Sequence, residues 1–195
     1  MNQSKITLWG APRTLIYVNG ITNKDIEAVE KLLSKTAQER QDAGVLIDFD
    51  PSDILPLWDS EKIYLGIGVG LGSDRADNAA KTAINGLEGQ FKKASFVYCL
   101  VVSKEINLEE VEVSAKKVND VVCENAAMFF AAVESEIYEE GLATIVLAPA
   151  DNDRFLLVEG YILRESASLQ ENLSQPGPDP IWASNVISGN FSMLR

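Results

Sequence analysis

Between Lys62 and Gly70 the chain reads Lys-Ile-Tyr-Leu-Gly-Ile-Gly-Val-Gly, a strand-forming run whose Gly66, Gly68 and Gly70 occupy alternate positions. Successive strand residues point to opposite faces, so one face of this strand carries no side chains, which permits close packing of backbone against it. The segment from Asp74 to Leu87 is predicted as a helix, because Ala76, Ala79, Ala80, Ala83, Ile84 and Leu87 share one face. Its small residues let it lie close to whatever it covers. Alternate glycines between a strand and a helix also invite a dinucleotide reading. The spacing is not G-x-G-x-x-G, however, and Asp74 and Asp77 set carboxylates where an incoming phosphate would meet the helix start. The pattern favours packing.

Around this pair the elements alternate. Phe96 to Val102 is continuously apolar, as expected of a central strand covered on both faces. A helix from Asn107 to about Cys123 follows, capped by Asn107 with Glu110 reaching back, and with Leu108, Val111, Ala115, Val118 and Val122 as its seam. Met128 to Val133 and Leu142 to Ala148 read as strands joined through an acidic hairpin tip, Glu134 to Gly141, and Phe155 to Leu163 reads as one further strand. Upstream, Ile6 to Val18 reads as one or two edge strands, since Pro12 cannot donate to a ladder. A helix from Thr22 or Asn23 to about Asp42 follows, then an acidic loop, then a short helix from Pro51 to about Asp59 whose length Pro56 limits. The expected class is α+β: a mixed four-stranded sheet (β-α-β-α-β-β) with two helices on one face, plus amino-terminal strands and a helix. Residues 1–60 hold the amino-terminal pieces and 61–165 the α+β domain. Residues 166–195, rich in Ser and Asn and containing Pro176-Gly177-Pro178, read as a loosely held tail.

Composition narrows the chemistry. The 195 residues include no histidine, which excludes Ser-His-Asp and Cys-His relays and imidazole metal sites. With 17 Lys+Arg against 29 Asp+Glu the formal charge is -12, which argues against nucleic acid and anionic lipid as partners. The longest apolar run is far short of the ~20 residues needed to cross a bilayer, and no signal peptide is evident. Cys99 and Cys123 sit among apolar residues without ligand-like spacing, and read as reduced core thiols of a cytoplasmic protein.

The helix opening Gly72-Ser73-Asp74-Arg75-Ala76-Asp77-Asn78-Ala79-Ala80-Lys81-Thr82-Ala83-Ile84 resembles the G-x-x-R-A-x-x-A-A-x-x-A-I stretch of the FtsZ cell-division proteins, in the carboxyl-terminal domain shared with tubulin. Ile106 to Val111 is similar to the D-L-x-L-x-E-V that opens that family's second helix, and Leu142 to Ala148 resembles its last strand. Ile47 to Ile54 resembles the N-x-D-F-A-D-V loop that reaches a neighbouring subunit's nucleotide site. The resemblance covers about Asp25 to Pro149. It implies an FtsZ-like protein without the Gly-rich GTP loop, hence no GTPase activity alone, no cofactor and no metal. The implied partner is an FtsZ-type filament or a second copy, with a role in cell division or filament assembly by protein–protein contact.

The resemblance makes Asp48, Asp50 and Asp53 a partner-facing loop, because in that family carboxylates of this loop polarise the attacking water in a site completed between subunits. Activation of a partner's GTPase is the corresponding expectation. Read from the residues alone, the same acids cap and solvate a turn. Arg75, Glu136 and Glu139 are candidate interface residues; Arg75 can also pair with Asp74, Asp77 or a partner's acid. The alternative function is a small-molecule-binding or catalytic protein on the same fold.

Overall fold

The computed structural model describes residues 1–8, 11–18, 20–38, 45–47, 54–138, 141–150, 154–158 and 161–165. The continuously apolar run becomes β5 (Phe96–Ser103), and it lies deep in a sheet, flanked on either side by β6 (Ala127–Glu134) and β7 (Leu142–Pro149). Every residue of β5 and β7 is buried. Beyond β7 stands the glycine strand β4 (Lys62–Gly70), then β2 (Ala11–Tyr17) and, at the edge, β1 (Asn2–Leu8). Beyond β6 is the three-residue β3 (Val45–Ile47), giving the order β1-β2-β4-β7-β5-β6-β3. The β2–β4 and β5–β6 pairs are parallel and the others antiparallel. A separate two-stranded sheet joins β8 (Arg154–Val158) and β9 (Tyr161–Glu165).

The α+β class and the mixed sheet stand, but the sheet has seven strands where four were expected, because the amino-terminal strands join its two edges. Pro12 does not keep β2 at the edge. Pairing of β2 with β4 begins only at Thr14, opposite Lys62, so the missing N–H lies before that ladder starts. The acidic connection after β6 is not a hairpin tip, since β5 lies between β6 and β7. It crosses the end of β5 instead, where Ser135 N–H donates to the Ser103 carbonyl at 2.8 Å and the Ser103 hydroxyl to the Gly141 carbonyl at 2.9 Å. The single strand expected from Phe155 to Leu163 is interrupted and forms two.

Helices cover both faces. On one lie α3 (Arg75–Ile84), the single turn α4 (Glu88–Phe91) and α5 (Leu108–Asn119), burying Ala76, Ala79, Ala83, Phe91, Val111 and Val118 against Val97, Cys99, Val101 and Val146. On the other, α1 (Asn23–Gln38) and α2 (Leu55–Asp59) bury Ile26, Val29, Leu33 and Leu57 against Leu15, Leu65, Tyr98 and Ile145. The two expected helices therefore do share a face, and α1 closes the opposite one. Thr22 caps α1 reciprocally: its N–H and hydroxyl donate to the Asp25 carboxylate at 2.8 and 2.7 Å, and Asp25 N–H returns to the hydroxyl at 3.3 Å. Pro56 stands in the first turn of α2, where a missing N–H costs nothing, so it opens that helix and does not limit it.

The bare face of β4 explains why α3 can lie so close. A Cβ on Gly66 would sit 1.9 Å from the Ala83 carbonyl oxygen, one on Gly68 2.0 Å from that of Ala79, and one on Gly70 1.9 Å from that of Arg75. Two strand residues advance about 6.6 Å and four helical residues about 6 Å, so the two periods stay matched over three contacts. The alternate glycines thus serve the packing of helix on strand.

Candidate functional site

The first turns of α3 and α5 lie side by side around an open depression of ≈ 530 Å³ lined by Ser73, Asp74, Asp77, Asn107, Glu109 and Glu110. Beside it a contact joins residues 35 positions apart. Arg75 Nε donates to Glu110 Oε1 at 2.6 Å and Nη2 to Oε2 at 3.0 Å, while Nη2 also reaches the Glu105 carbonyl at 2.8 Å. Glu110 serves its own helix as well: its carboxylate accepts from Asn107 N–H at 3.2 Å, and its N–H donates to Asn107 Oδ1 at 2.9 Å, the capping box expected from sequence. The hydrogen bond from Arg75 holds the Glu110 carboxyl below its ordinary value against the opposing effect of burial, and the same bond raises Arg75. Asp77 is held by Lys81 at 2.5 Å and Lys117 at 3.1 Å, which lowers its carboxyl. Below this surface a buried polar relay runs from Thr144 Oγ1 to Ser114 Oγ at 3.3 Å and on to the Ala76 carbonyl at 3.4 Å, tying β7 to both helices.

Arg75 thus meets Glu110 inside the chain, with Asp77 engaged elsewhere. Chemically the cluster is a clasp between two helices, with Glu110 and Asp77 already paired with cations. Among the described residues no group of three or more His, Cys, Asp or Glu is placed to hold a metal ion. Glu136 is exposed and lies 3.4 Å from Lys104, whereas Glu139 falls outside the described residues. So do Asp48, Asp50 and Asp53. The ends of their loop are described: Val45 pairs with Val133 and Ile47 with Ala132 across a register shift, and Ile54 and Leu57 are fully buried. Leu108, expected in the α5 seam, is 64 % exposed, because the buried face runs through Val111, Ser114 and Val118. Cys99 is buried, which pushes its thiol up to about 12, but Cys123 lies exposed past the end of α5 and is no core thiol.

Sequence reading misses two buried features with no local signature. Arg13 Nη2 donates to the Trp58 carbonyl, tying β2 to α2. The Tyr138 hydroxyl is buried without a hydrogen-bond partner among the described residues, and desolvation, helped by the Asp25 carboxylate, raises it to about 12.

The sheet order, the α3-on-glycine packing and the covering helices on the opposite face define a mixed α+β module. The chain matches a tryptophan-to-tyrosine mutant of FtsZ from M. jannaschii at 19% identity and TM-score 0.51, over 76% of this chain and 47% of that one. An empty FtsZ dimer from M. jannaschii matches at 19% identity and TM-score 0.51, over 84% of this chain and 48% of that one. Protofilaments of TubZ from Bacillus thuringiensis serovar israelensis in the GDP form match at 12% identity, TM-score 0.42, over 65% and 36%. No family model and no curated protein matches the chain. It therefore carries an FtsZ-like fold and spans about half the length of the FtsZ chains it matches, consistent with their carboxyl-terminal domain. No helix among the described residues is long and apolar enough to cross a membrane.

Proposed function

We propose that this chain acts by protein–protein contact, docking its FtsZ-like module on an FtsZ-type filament or on a second copy and modulating assembly, without catalysing GTP hydrolysis by itself. The observation that carries this reading is the filled glycine face. The alternate glycines, the nucleotide-like pattern in the sequence, are taken up in packing α3 on β4, which supports reading the chain as a sheet-and-helix module that works by contact. In this reading Asp48, Asp50 and Asp53 face the partner, where a carboxylate can orient water only if the partner supplies nucleotide and metal. Arg75 supports the surface from within by fixing α3 to α5, and Glu136 and Glu139 contribute to the partner-facing side.

The test mixes the purified chain with FtsZ of the same organism and follows sedimentation and GTP turnover. The expected result is a complex by light scattering with changed polymer mass or turnover, lost in the Asp48→Ala/Asp53→Ala double variant. Unchanged sedimentation and turnover with no complex would remove the reading. GTP cleavage by the chain alone would remove it too. A thermal-shift screen against nucleotides separates the small-molecule alternative, since a ligand at 100 times its Kd adds about 2.7 kcal/mol.

A further inference from the structure

The strand β1 ends the sheet, and among the described residues nothing pairs with its outer side. Which backbone groups it leaves open follows from the ladder. Thr14 N–H donates to the Glu61 carbonyl at 2.8 Å, on the β4 side of β2. Thr14 stands opposite Lys5, so the Lys5 pair is not hydrogen-bonded across β1–β2, and by alternation neither are the Gln3 and Thr7 pairs. Those three residues turn N–H and C=O outward. Pairing runs without a register shift over all seven residues, so this edge is a regular template of the kind proteins ordinarily blunt.

Alongside that edge runs an open groove of ≈ 570 Å³ between β1 and the first half of α1, lined among others by Ile6, Ile26, Glu27 and Glu30. Ile26 is buried and Ile6 half-buried, giving the groove an apolar floor. Glu27 and Glu30 form its acidic wall and make no ion pair among the described residues. A strand added to β1 would run beneath α1, with alternate side chains rising into this groove about 6.6 Å apart. Glu27 and Glu30 stand roughly one helical turn apart, about 5–6 Å, so two alternate cations could each meet one carboxylate while their aliphatic stems lie on Ile6 and Ile26.

We propose that β1 is a strand-addition site for an extended partner segment with Lys or Arg at alternate positions. It draws on none of the acidic-loop residues and stands whether or not the chain docks on FtsZ. A second copy fits it poorly: its own β1 offers one cation, Lys5, and it would bring further carboxylates to a chain already at -12.

The probe is a labelled peptide of about eight residues, ordinary strand length, alternating lysine with valine, compared with its glutamate counterpart. Fluorescence anisotropy on the intact chain should show salt-sensitive binding of the lysine peptide only. Lys5→Pro removes an outward N–H without touching the β1–β2 ladder and should abolish binding, although it also removes a repelling charge. Glu27→Lys/Glu30→Lys should weaken the lysine peptide about tenfold or more and admit the glutamate peptide. If Lys5→Pro fails to fold by circular dichroism, the charge reversal decides alone. Binding of neither peptide, equal binding of both, or a preference that survives the reversal would overturn the proposal, as would a β1-dependent homodimer by light scattering.

Discussion

Replacing Gly68 with alanine would force a methyl group to within 2.0 Å of the Ala79 carbonyl oxygen and 2.6 Å of the Ala83 nitrogen. Both are helix backbone, which cannot rotate aside as a flexible side chain could. Nor can α3 tilt freely, because Gly66 and Gly70 hold it at Ala83 and Arg75. Relief requires lifting the whole helix and losing the burial of Ala76, Ala79, Ala80 and Ala83. Gly68→Ala should therefore destabilise by about 3 kcal/mol or more, at the upper end of overpacking. Gly89 supplies the control: it lies in α4 with no heavy atom within 4 Å of a built Cβ. Alanine there should change stability by under about 1 kcal/mol, in the favourable direction, since glycine costs more entropy in a helix. Urea midpoints of the two variants decide the matter. A Gly68→Ala protein as stable as its Gly89→Ala counterpart would mean that α3 does not rest on the strand backbone.

Between elements, the Arg75–Glu110 clasp makes a pH-dependent joint of α3 and α5. Glu110 is held below its ordinary 4.5, chiefly by the hydrogen bond from Arg75. A depressed carboxyl contributes stability that is present above the unfolded value and is lost as pH falls through the folded one. Wild type should thus be more stable than Glu110→Gln by about 1–2 kcal/mol at neutral pH, the range of a partly buried charge-assisted pair. Denaturant titrations from about pH 7 down to about pH 3 should show that gap constant at first and closing once the pH drops below the ordinary glutamate range. A gap indifferent to pH would show the clasp contributes through packing alone. The same joint shows what sequence can and cannot disclose. The Asn107–Glu110 capping box is legible because its partners lie three residues apart; Arg75 as the third member is not, because no period links positions 35 apart. Alternation and apolar runs disclose β4, β5, β6 and β7 as strands. They are silent on pairing order, so β6 and β7 read as a hairpin although β5 separates them. Pro12 misleads for a similar reason: where a ladder begins is a tertiary fact. Asp48, Asp50 and Asp53 enter only through the likeness of their loop to a known one and lie outside the described residues, whereas the filled face of Gly66, Gly68 and Gly70 follows from their spacing.

At the scale of the whole molecule, the sheet has an insulated centre and, at β1, a margin with which nothing among the described residues pairs. In β5 the residues Phe96 to Val102 are all 0% exposed, with strands on both sides and helices over both faces. Exposing their amides requires dismantling both layers at once, so they should exchange with solvent only through global unfolding. The margin at β1 behaves otherwise, and unevenly along a single strand. Gln3, Lys5 and Thr7 direct their amides outward, while Ser4 and Ile6 direct theirs toward β2. Native-state hydrogen exchange resolved by residue should therefore find Val97 to Val102 slowest in the chain. Gln3, Lys5 and Thr7 should exchange fast, interleaved with slower Ser4 and Ile6. Uniform protection along β1 would mean that some other part of the chain already covers the edge, which would count against strand addition there. Selective protection of Gln3, Lys5 and Thr7 on adding the lysine-alternating peptide would locate the new strand by the very amides it binds.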